Sequence, residues 1–500
     1  MTALTANTTP KPDSPYNRQD WQRGYQSQRH ETDYWLEADE IVGEIPAALS
    51  GTLFRNGPAL FERGGQSVQH PFDGDGMVAA ISIDAGRAHF RNRFVRTEGF
   101  VAEEQAGKFL YRGVFGTQKP GGWLANAFDF RVKNIANTNI IYWGGKLLAL
   151  WEAAEPHRLD PETLATLGLD DLDGTLKPGE SFAAHPRVDP ACAFDGGQPC
   201  LVNFAIRPGL STAIALYEFA PDGQLRRQQA HQVPGFAFIH DFAITPHYAL
   251  FFQNPVAFNP LPFALGWRGA AECIRFQADQ PTRILVIPRD PQSGQPVRTL
   301  TAEAGFTFHH ANTWEIDAET LAIDSVCYAT FPDVEPETDF RQINFAALPP
   351  GQIWRCQLDL AQGRVERRQL LARCCEFPDL HPARVGRDYR YLYLSCAHSP
   401  SGNAPLQGLL KLDLETGVTQ DYSFAPTGYV SEARFVPEPG ATTEDAGWLL
   451  QVVYDSQRDR SEVVIFDARD VTSGPVARLQ LRDRIPYGLH GCWTPHCFVR

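Results

Sequence analysis

The sequence predicts an all-β chain of the β-propeller kind, and three observations carry that prediction. A short strand, an Asp/Gly turn and a return strand recur along the chain. Glycine, proline and aromatic residues are spread throughout, and no Gly/Ser run, charge block or low-complexity tract divides the 500 residues. Repeated antiparallel hairpins favour radial repetition over one large sandwich, because a propeller leaves only short, protected edges.

Taken in order, residues 1–20 are polar and Pro-bearing. They lack the basic start and apolar stretch of a secretory signal, so they read as a disordered leader before one propeller domain over 21–500. His70-Pro71-Phe72-Asp73-Gly74-Asp75-Gly76 hints at a calcium loop but lacks the remaining EF-hand ligands, and reads as a tight turn. Residues 139–143 (NIIYW) and 146–151 (KLLALW) flank Gly144-Gly145, the signature of a two-residue hairpin. The repeat proper begins at 215–219 (ALYEF), which passes through Pro221-Asp222-Gly223 into Gln224-Leu225-Arg226. It returns at 353–359 through Gly363 into Arg364-Val365-Glu366, and at 410–413 through Gly417 into Val418-Thr419. A last copy at 464–467 passes Gly474 into 476–479. Residues 389–394 (YRYLYL) form a further strand, opened by the turn Gly386-Arg387-Asp388.

Composition narrows the function classes. A net charge of −14 offers no basic face for phosphate, which argues against nucleic acid as a partner. Ten cysteines without a CxxC pair fit reduced thiols in a cytosolic protein, with Cys374-Cys375 packed rather than bridged. No uninterrupted apolar run reaches the ~18 residues of a membrane span. Residues 248–267 (YALFFQNPVAFNPLPFALGW) are rich in Phe and Leu but broken by three prolines. They are either buried under the propeller or an apolar surface that dips into lipid.

Candidate chemistry lies in scattered histidines and glutamates. His185 precedes Pro186, which biases it to extended backbone. His240 ends the apolar run 235–239 (GFAFI), and His490 lies in Tyr487-Gly488-Leu489-His490-Gly491. His309 and His310 are neighbours; strand neighbours face opposite ways, so only one of them can enter an axial site. Taken singly, each reads as a hydrogen-bonded core histidine before it reads as a ligand, and 14 histidines in 500 residues are no enrichment. Glu152, Glu376 and Glu432 stand in apolar surroundings, where a carboxylate needs a partner. An imidazole N–H is such a partner, and the pairing fixes the tautomer that offers the other ring nitrogen to a metal. Spacing alone leaves open which histidines form a set. A propeller axis, reached by the inner strand of every blade, is where such distant residues can meet.

Six segments carry a resemblance: Phe54-Arg55-Asn56-Gly57-Pro58, 70–77 (HPFDGDGM), 133–139 (KNIANTN), 236–242 (FAFIHDF), 308–312 (FHHAN) and 375–378 (CEFP). In that order they resemble the carotenoid cleavage oxygenase family, over nearly the whole chain from Trp21 to Trp493. The resemblance implies a seven-bladed propeller with loops and short helices capping one face over an axial Fe(2+) site. Matched motif by motif, it implies His185, His240, His309 and His490 as metal ligands, with Glu152, Glu376 and Glu432 behind them. It places Thr138 beside an open coordination position, and Phe115, Trp151, Phe238 and Phe308 along a substrate tunnel. Many members have Gly-Glu-Pro at the last glutamate, where this chain has Ser431-Glu432-Ala433. The implied reaction is cleavage by dioxygen of the central 15,15′ double bond of all-trans apocarotenals such as 8′-apo-β-carotenal. Retinal and a second aldehyde would be the products, and peripheral contact with membrane lipid would suit such substrates. Alternatives are cleavage of another carotenoid or stilbenoid double bond, the isomerohydrolase branch of the family, or a non-enzymatic scaffold.

Overall fold

The computed structural model describes residues 16–207, 211–331 and 339–499. The leader read over 1–20 lies outside the described residues as far as residue 15; a short helix, Arg18–Arg23, starts after the cap residue Asn17. From Asp33 onward the chain forms seven antiparallel sheets of four or five strands, the blades of a propeller.

Six blades start with their innermost strand: Asn139–Trp143, Arg187–Asp189, Ala243–Ile244, Phe306–Glu315, Cys375–Asp379 and Gly428–Pro437 for blades two to seven. The first blade takes its innermost strand, Gly491–Thr494, from far along the sequence, where it pairs with Gly51–Leu60. In exchange, the early strand Ile41–Gly43 pairs with Pro475–Gln480 on the outside of the seventh blade. The ring is therefore closed twice. Innermost strands of neighbouring blades touch from the third blade round to the second.

Side-chain alternation explains how the blades hold together. In the fourth blade's strand Tyr248–Gln253, Ala249 and Phe251 pack against third-blade Phe204, while Leu250 and Phe252 pack against fifth-blade Leu321 and Ile323. Both faces of a blade are thus buried, and its middle strands read as unbroken apolar runs rather than alternating ones. Each large apolar side chain so buried contributes about 1.5–3 kcal/mol. Seven such clusters, one per seam, replace a single central core.

The four repeats predicted from sequence are one structural feature: the hairpin joining the two outer strands of blades three, five, six and seven. The Gly144-Gly145 hairpin also forms, with φ of 58° and 74° at the two glycines. The strand expected at 389–394 runs instead from Tyr391 to Ala397, and Tyr389 turns inward to donate to Asp324 Oδ2 at 2.8 Å.

Two insertions cap one end of the axis. One lies between blades one and two and carries the helices Glu98–Ala106 and Gly122–Asn126. The other interrupts the fourth blade with the helix Pro260–Ala264 and a two-stranded ribbon, Val256–Phe258 with Ile274–Phe276. They are locked together: Phe128 N–H donates to Ala264 O at 2.7 Å, and buried Arg112 donates to the carbonyls of Phe263 and Arg268. Gly266, at φ +72°, sits so close that a Cβ would fall 2.5 Å from Ala127 N, so only glycine fits there. The ribbon residues Val256 and Ile274 pack on Phe306, with Phe238 and Phe308 against the same cluster.

The apolar stretch 248–267 is thereby split. Its first part is a buried blade strand, while Leu261 and Trp267 in the cap are about 60% exposed. Sequence reading overlooked their neighbours Trp123, Leu124, Phe128 and Phe130, which are exposed on the other insertion. The tight turn at 70–76 is a one-turn helix, Pro71–Asp73. Its Asp73 carboxylate accepts from Phe115 N–H, Thr117 N–H and Thr117 Oγ1, which suits a structural turn rather than calcium.

Candidate metal centre

Every blade delivers one ionisable side chain to the axis. His490 immediately precedes the first blade's innermost strand, Glu152 follows the second blade's inner hairpin, and His185 and His240 precede the innermost strands of blades three and four. His309, Glu376 and Glu432 lie within the innermost strands of blades five, six and seven. In all three of those strands the pairing register slips beside the functional residue: between Thr307 and His310, between Glu376 and Asp379, and between Val430 and Ala433. A bulge of this kind inserts one unpaired residue and turns its side chain off the pleat, here toward the axis.

The four histidines predicted as a set converge. One ring nitrogen of each of His185, His240, His309 and His490 lies within 4.8 Å of the others, and the Nε2 atoms of His185 and His240 are 2.9 Å apart. Three of the four are held from behind through Nδ1: His240 by Glu152 at 2.5 Å, His309 by Glu376 at 2.5 Å and His490 by Glu432 at 3.0 Å. Each carboxylate fixes the tautomer that turns Nε2 inward. His309 Nε2 is buried without a hydrogen-bond partner among the described residues. His310 points the other way, its Nδ1 2.7 Å from Ser325 Oγ and its ring edge against Phe252. The opposite-face expectation for this pair therefore holds.

Electrostatics suits a cation at this point. Burial, reinforced by the other imidazoles, presses His185 well below its ordinary pKa. Burial also pulls His490 down to about 4 against the counter-pull of Glu432. For His309, burial works the same way but Glu376 outweighs it and raises the pKa, so metal and proton compete for that ring. Burial pushes Glu432 up, yet Arg55 and then His490 hold it well below the usual carboxylate range. The departure from Gly-Glu-Pro has not displaced this glutamate. Four imidazoles backed by three carboxylates form a donor set that fits a divalent transition metal, and the unpartnered His309 nitrogen is the sign of it.

Three residues that sequence reading passed over complete the surroundings. Arg55 forms a buried ion pair with Glu432 and donates to Leu489 O at 2.8 Å. Tyr328 donates its hydroxyl to Glu376 Oε1 at 2.6 Å, extending the chain behind His309. Phe377 packs its ring against His309 and His490 at a φ of 55°, an unusual backbone for a bulky residue. Arg55, inside Phe54-Arg55-Asn56-Gly57-Pro58, and Phe377, inside 375–378 (CEFP), carried a sequence signal; Tyr328 carried none.

The remaining expected residues fall in different places. Thr138 is buried beside His490, its carbonyl accepting the His490 N–H at 3.2 Å. Phe238 and Phe308 share one aromatic wall with Phe306 and Phe331, and the Phe308 ring stands edge-on to His240 at 5.5 Å. Trp151 is buried directly before Glu152. Phe115 belongs to a separate group, stacked on His70 at 5.0 Å and edge-on to Phe72.

Known proteins share this arrangement over nearly the full chain. Residues 25–495 match the family model described as retinal pigment epithelial membrane protein. The chain is 54% identical over 492 residues to apocarotenoid-15,15′-oxygenase of Synechocystis sp., covering 97% of this chain and 99% of that protein. It is 32% identical over 493 residues to resveratrol cleavage oxygenase 1 of Aspergillus fumigatus, covering 91% of each. The crystal structure of cobalt-substituted Synechocystis ACO aligns with a TM-score of 0.94 at 54% identity, covering 96% of this chain and 99% of that one. A propeller with four imidazoles on its axis, matched from end to end, leaves one conclusion: the chain belongs to the retinal pigment epithelial membrane protein family of carotenoid cleavage oxygenases.

Proposed function

We propose that this protein is an Fe(II)-dependent oxygenase that cleaves the central 15,15′ double bond of all-trans apocarotenals to retinal and a second aldehyde. The observation that carries the reading is the convergence of His185, His240, His309 and His490 beside the Phe238–Phe308 wall, in a chain 54% identical to an apocarotenoid-15,15′-oxygenase. These four histidines would hold the iron, which when bound supplies the redox centre at which dioxygen is activated to split an alkene into two carbonyls.

The chain's own residues do the rest. Glu152, Glu376 and Glu432 keep three imidazoles in the tautomer that presents Nε2, and they offset the charge of a divalent ion. Thr138, tied through its backbone to Leu150 and His490, is assigned to shaping the approach to the centre. Phe238, Phe306 and Phe308 offer ring faces and edges to a polyene, which has no polar handle along its length. Such a substrate is positioned by burial and shape rather than by hydrogen bonds. Trp151 and Phe115, which lie apart from that wall, are assigned to the tunnel on the family resemblance.

Anaerobic purification, an iron assay and oxygen-dependent turnover of 8′-apo-β-carotenal test the reading, with resveratrol as the comparison substrate. Stoichiometric iron and retinal as one of two products are the expected result. Full turnover in iron-free protein, or cleavage of resveratrol alone, would overturn it.

The cap adds a proposal about where substrate is collected. No helix among the described residues is long and apolar enough to cross a membrane. Trp123, Leu124, Phe128, Phe130, Leu261 and Trp267 nevertheless expose their apolar surface on two insertions locked together. That patch suits peripheral contact with lipid, the phase in which apocarotenoids reside. The double substitution Leu124→Asp and Phe128→Asp is expected to weaken sedimentation with phospholipid vesicles at least about tenfold, since each side chain contributes about 1.5–3 kcal/mol on burial. Both positions are exposed, and aspartate tolerates the φ of 58° at position 128, so the melting temperature should stay put. Undiminished vesicle binding by the variant would rule the patch out.

A further inference from the structure

A second buried cluster lies at the seam of blades three and four, and it brings two thiols together. Cys192 and Cys200 flank a short turn in which Cys192 N–H donates to Gln198 O at 2.9 Å and Gly197 N–H donates to Cys192 O at 3.1 Å. Across the innermost strand pair Cys200 stands opposite Asp189. The donor atoms of Asp189, Cys192 and Cys200 lie within 4.8 Å of one another.

Two thiols and a carboxylate at that spacing suggest a metal, but the cation is already in place. The Arg289 guanidinium is fully buried among them, 2.7 Å from Asp189 Oδ2, 2.8 Å from Glu218 Oε1, 3.3 Å from Cys200 Sγ and 3.7 Å from Cys192 Sγ. A divalent ion would have to share a dry space with that fixed positive charge. Arg387 on Asp189 Oδ1 and Arg227 near Glu218 Oε2 add two more cations. Three cations thus face two carboxylates, an excess of positive charge that favours a thiolate over a thiol.

We propose that Cys192 and Cys200 are a peroxide-responsive thiol pair that closes to a reversible disulfide at this seam. Cys192 is the attacking sulfur. The hydrogen bond with Cys200 lowers its thiol against burial, with help from the Phe194 N–H and Arg289 and against the pull of Glu218. The same bond and burial raise the Cys200 thiol. Burial raises all eight other cysteines, so the molecule offers no rival thiolate. In the turn between the two cysteines, Ala193, Gly196, Gly197 and Gln198 are exposed.

The chemistry balances with hydrogen peroxide as the oxidant. Cys192 Sγ attacks one peroxide oxygen, the O–O bond breaks, and the departing hydroxide takes up a proton as water, leaving a sulfenic acid. Cys200 Sγ then gives up its proton and attacks Cys192 Sγ; the S–O bond breaks and the second hydroxide leaves with that proton as water. Two thiols lose two electrons and one peroxide gains them. Side-chain rotation must bring the sulfurs to about 2.05 Å. The resulting bridge would pin the turn to the strand Cys200–Arg207, whose partner strand Arg187–Asp189 begins two residues past His185.

The test uses the full-length, reduced protein at neutral pH. It is exposed to graded hydrogen peroxide, alkylated and digested with trypsin without reductant. Both cysteines fall in one tryptic peptide, so closure reads as the loss of two hydrogen masses and of both alkylation sites, restored by dithiothreitol. These two of the ten thiols should disappear about tenfold faster than any other, the greater thiolate fraction at Cys192 being partly offset by weaker intrinsic nucleophilicity. Cys200→Ser should stop at a Cys192 sulfenic acid trapped by dimedone. Peroxide that consumes other thiols first, or a Cys200→Ser protein with no dimedone adduct at Cys192, would overturn the proposal.

Discussion

His309→Ala is expected to abolish both iron retention and oxygen-dependent turnover, while His310→Ala keeps iron at wild-type stoichiometry. The two residues are adjacent in one strand, share burial and differ only in the face they occupy. His309 turns Nε2, without a partner, toward three other imidazoles, and its Nδ1 rests on Glu376. Its loss removes one of four proposed ligands and strands a buried carboxylate, and should lower iron affinity by at least about 100-fold, more than the 10–100-fold typical of an outer partner. His310 is fastened to Ser325 and packed on Phe252. Removing its ring leaves a cavity and a hydroxyl short of one partner, at a cost of about 1–3 kcal/mol in stability. Iron per chain by elemental analysis, turnover and urea midpoints for both variants check this. Equal iron loss in the two would refute the assignment of faces.

Arg55→Met should be the most destabilising single change near the axis, by about 3–5 kcal/mol. Glu432 is buried between Arg55 and His490, with Gly491 N–H as a further donor at 3.1 Å. Taking away the guanidinium leaves the buried charge with a neutral imidazole, the Gly491 N–H and the weaker pull of Arg434, and also frees the Leu489 carbonyl. The companion Glu432→Gln, alone and combined with Arg55→Met, tells charge from packing. If the stranded charge is the cause, the double variant recovers a large part of the single variant's loss. Simple additivity of the two urea-midpoint shifts would instead assign the cost to packing.

The outer parts of the blades were legible in the sequence, and the inner parts were not. Third-to-fourth-strand hairpins, such as Gln352–Asp359 into Arg364–Leu371, have an exposed last strand and a tight turn, so alternation and turn chemistry both show. The innermost strands are short or bulged: Ala243–Ile244 has two residues, and the register slips beside His309, Glu376 and Glu432. A bulge leaves no periodic trace, which is why the choice of histidines rested on resemblance rather than spacing. The same holds for Phe377, whose position against two of the histidines depends on a backbone angle that no residue pattern announces. The exposed cap was half visible. One flank, 260–267, stood out as apolar, but its match with 123–130 is a tertiary contact.

Closure of the first blade by Gly491–Thr494 has a consequence for biosynthesis. His490 sits at the start of that strand, about 300 residues after His185. At roughly 5–20 residues per second, a nascent chain would spend some 15–60 s with part of its donor set exposed before the last imidazole emerges. Metal acquisition is therefore an event of the finished ring, not of the growing chain.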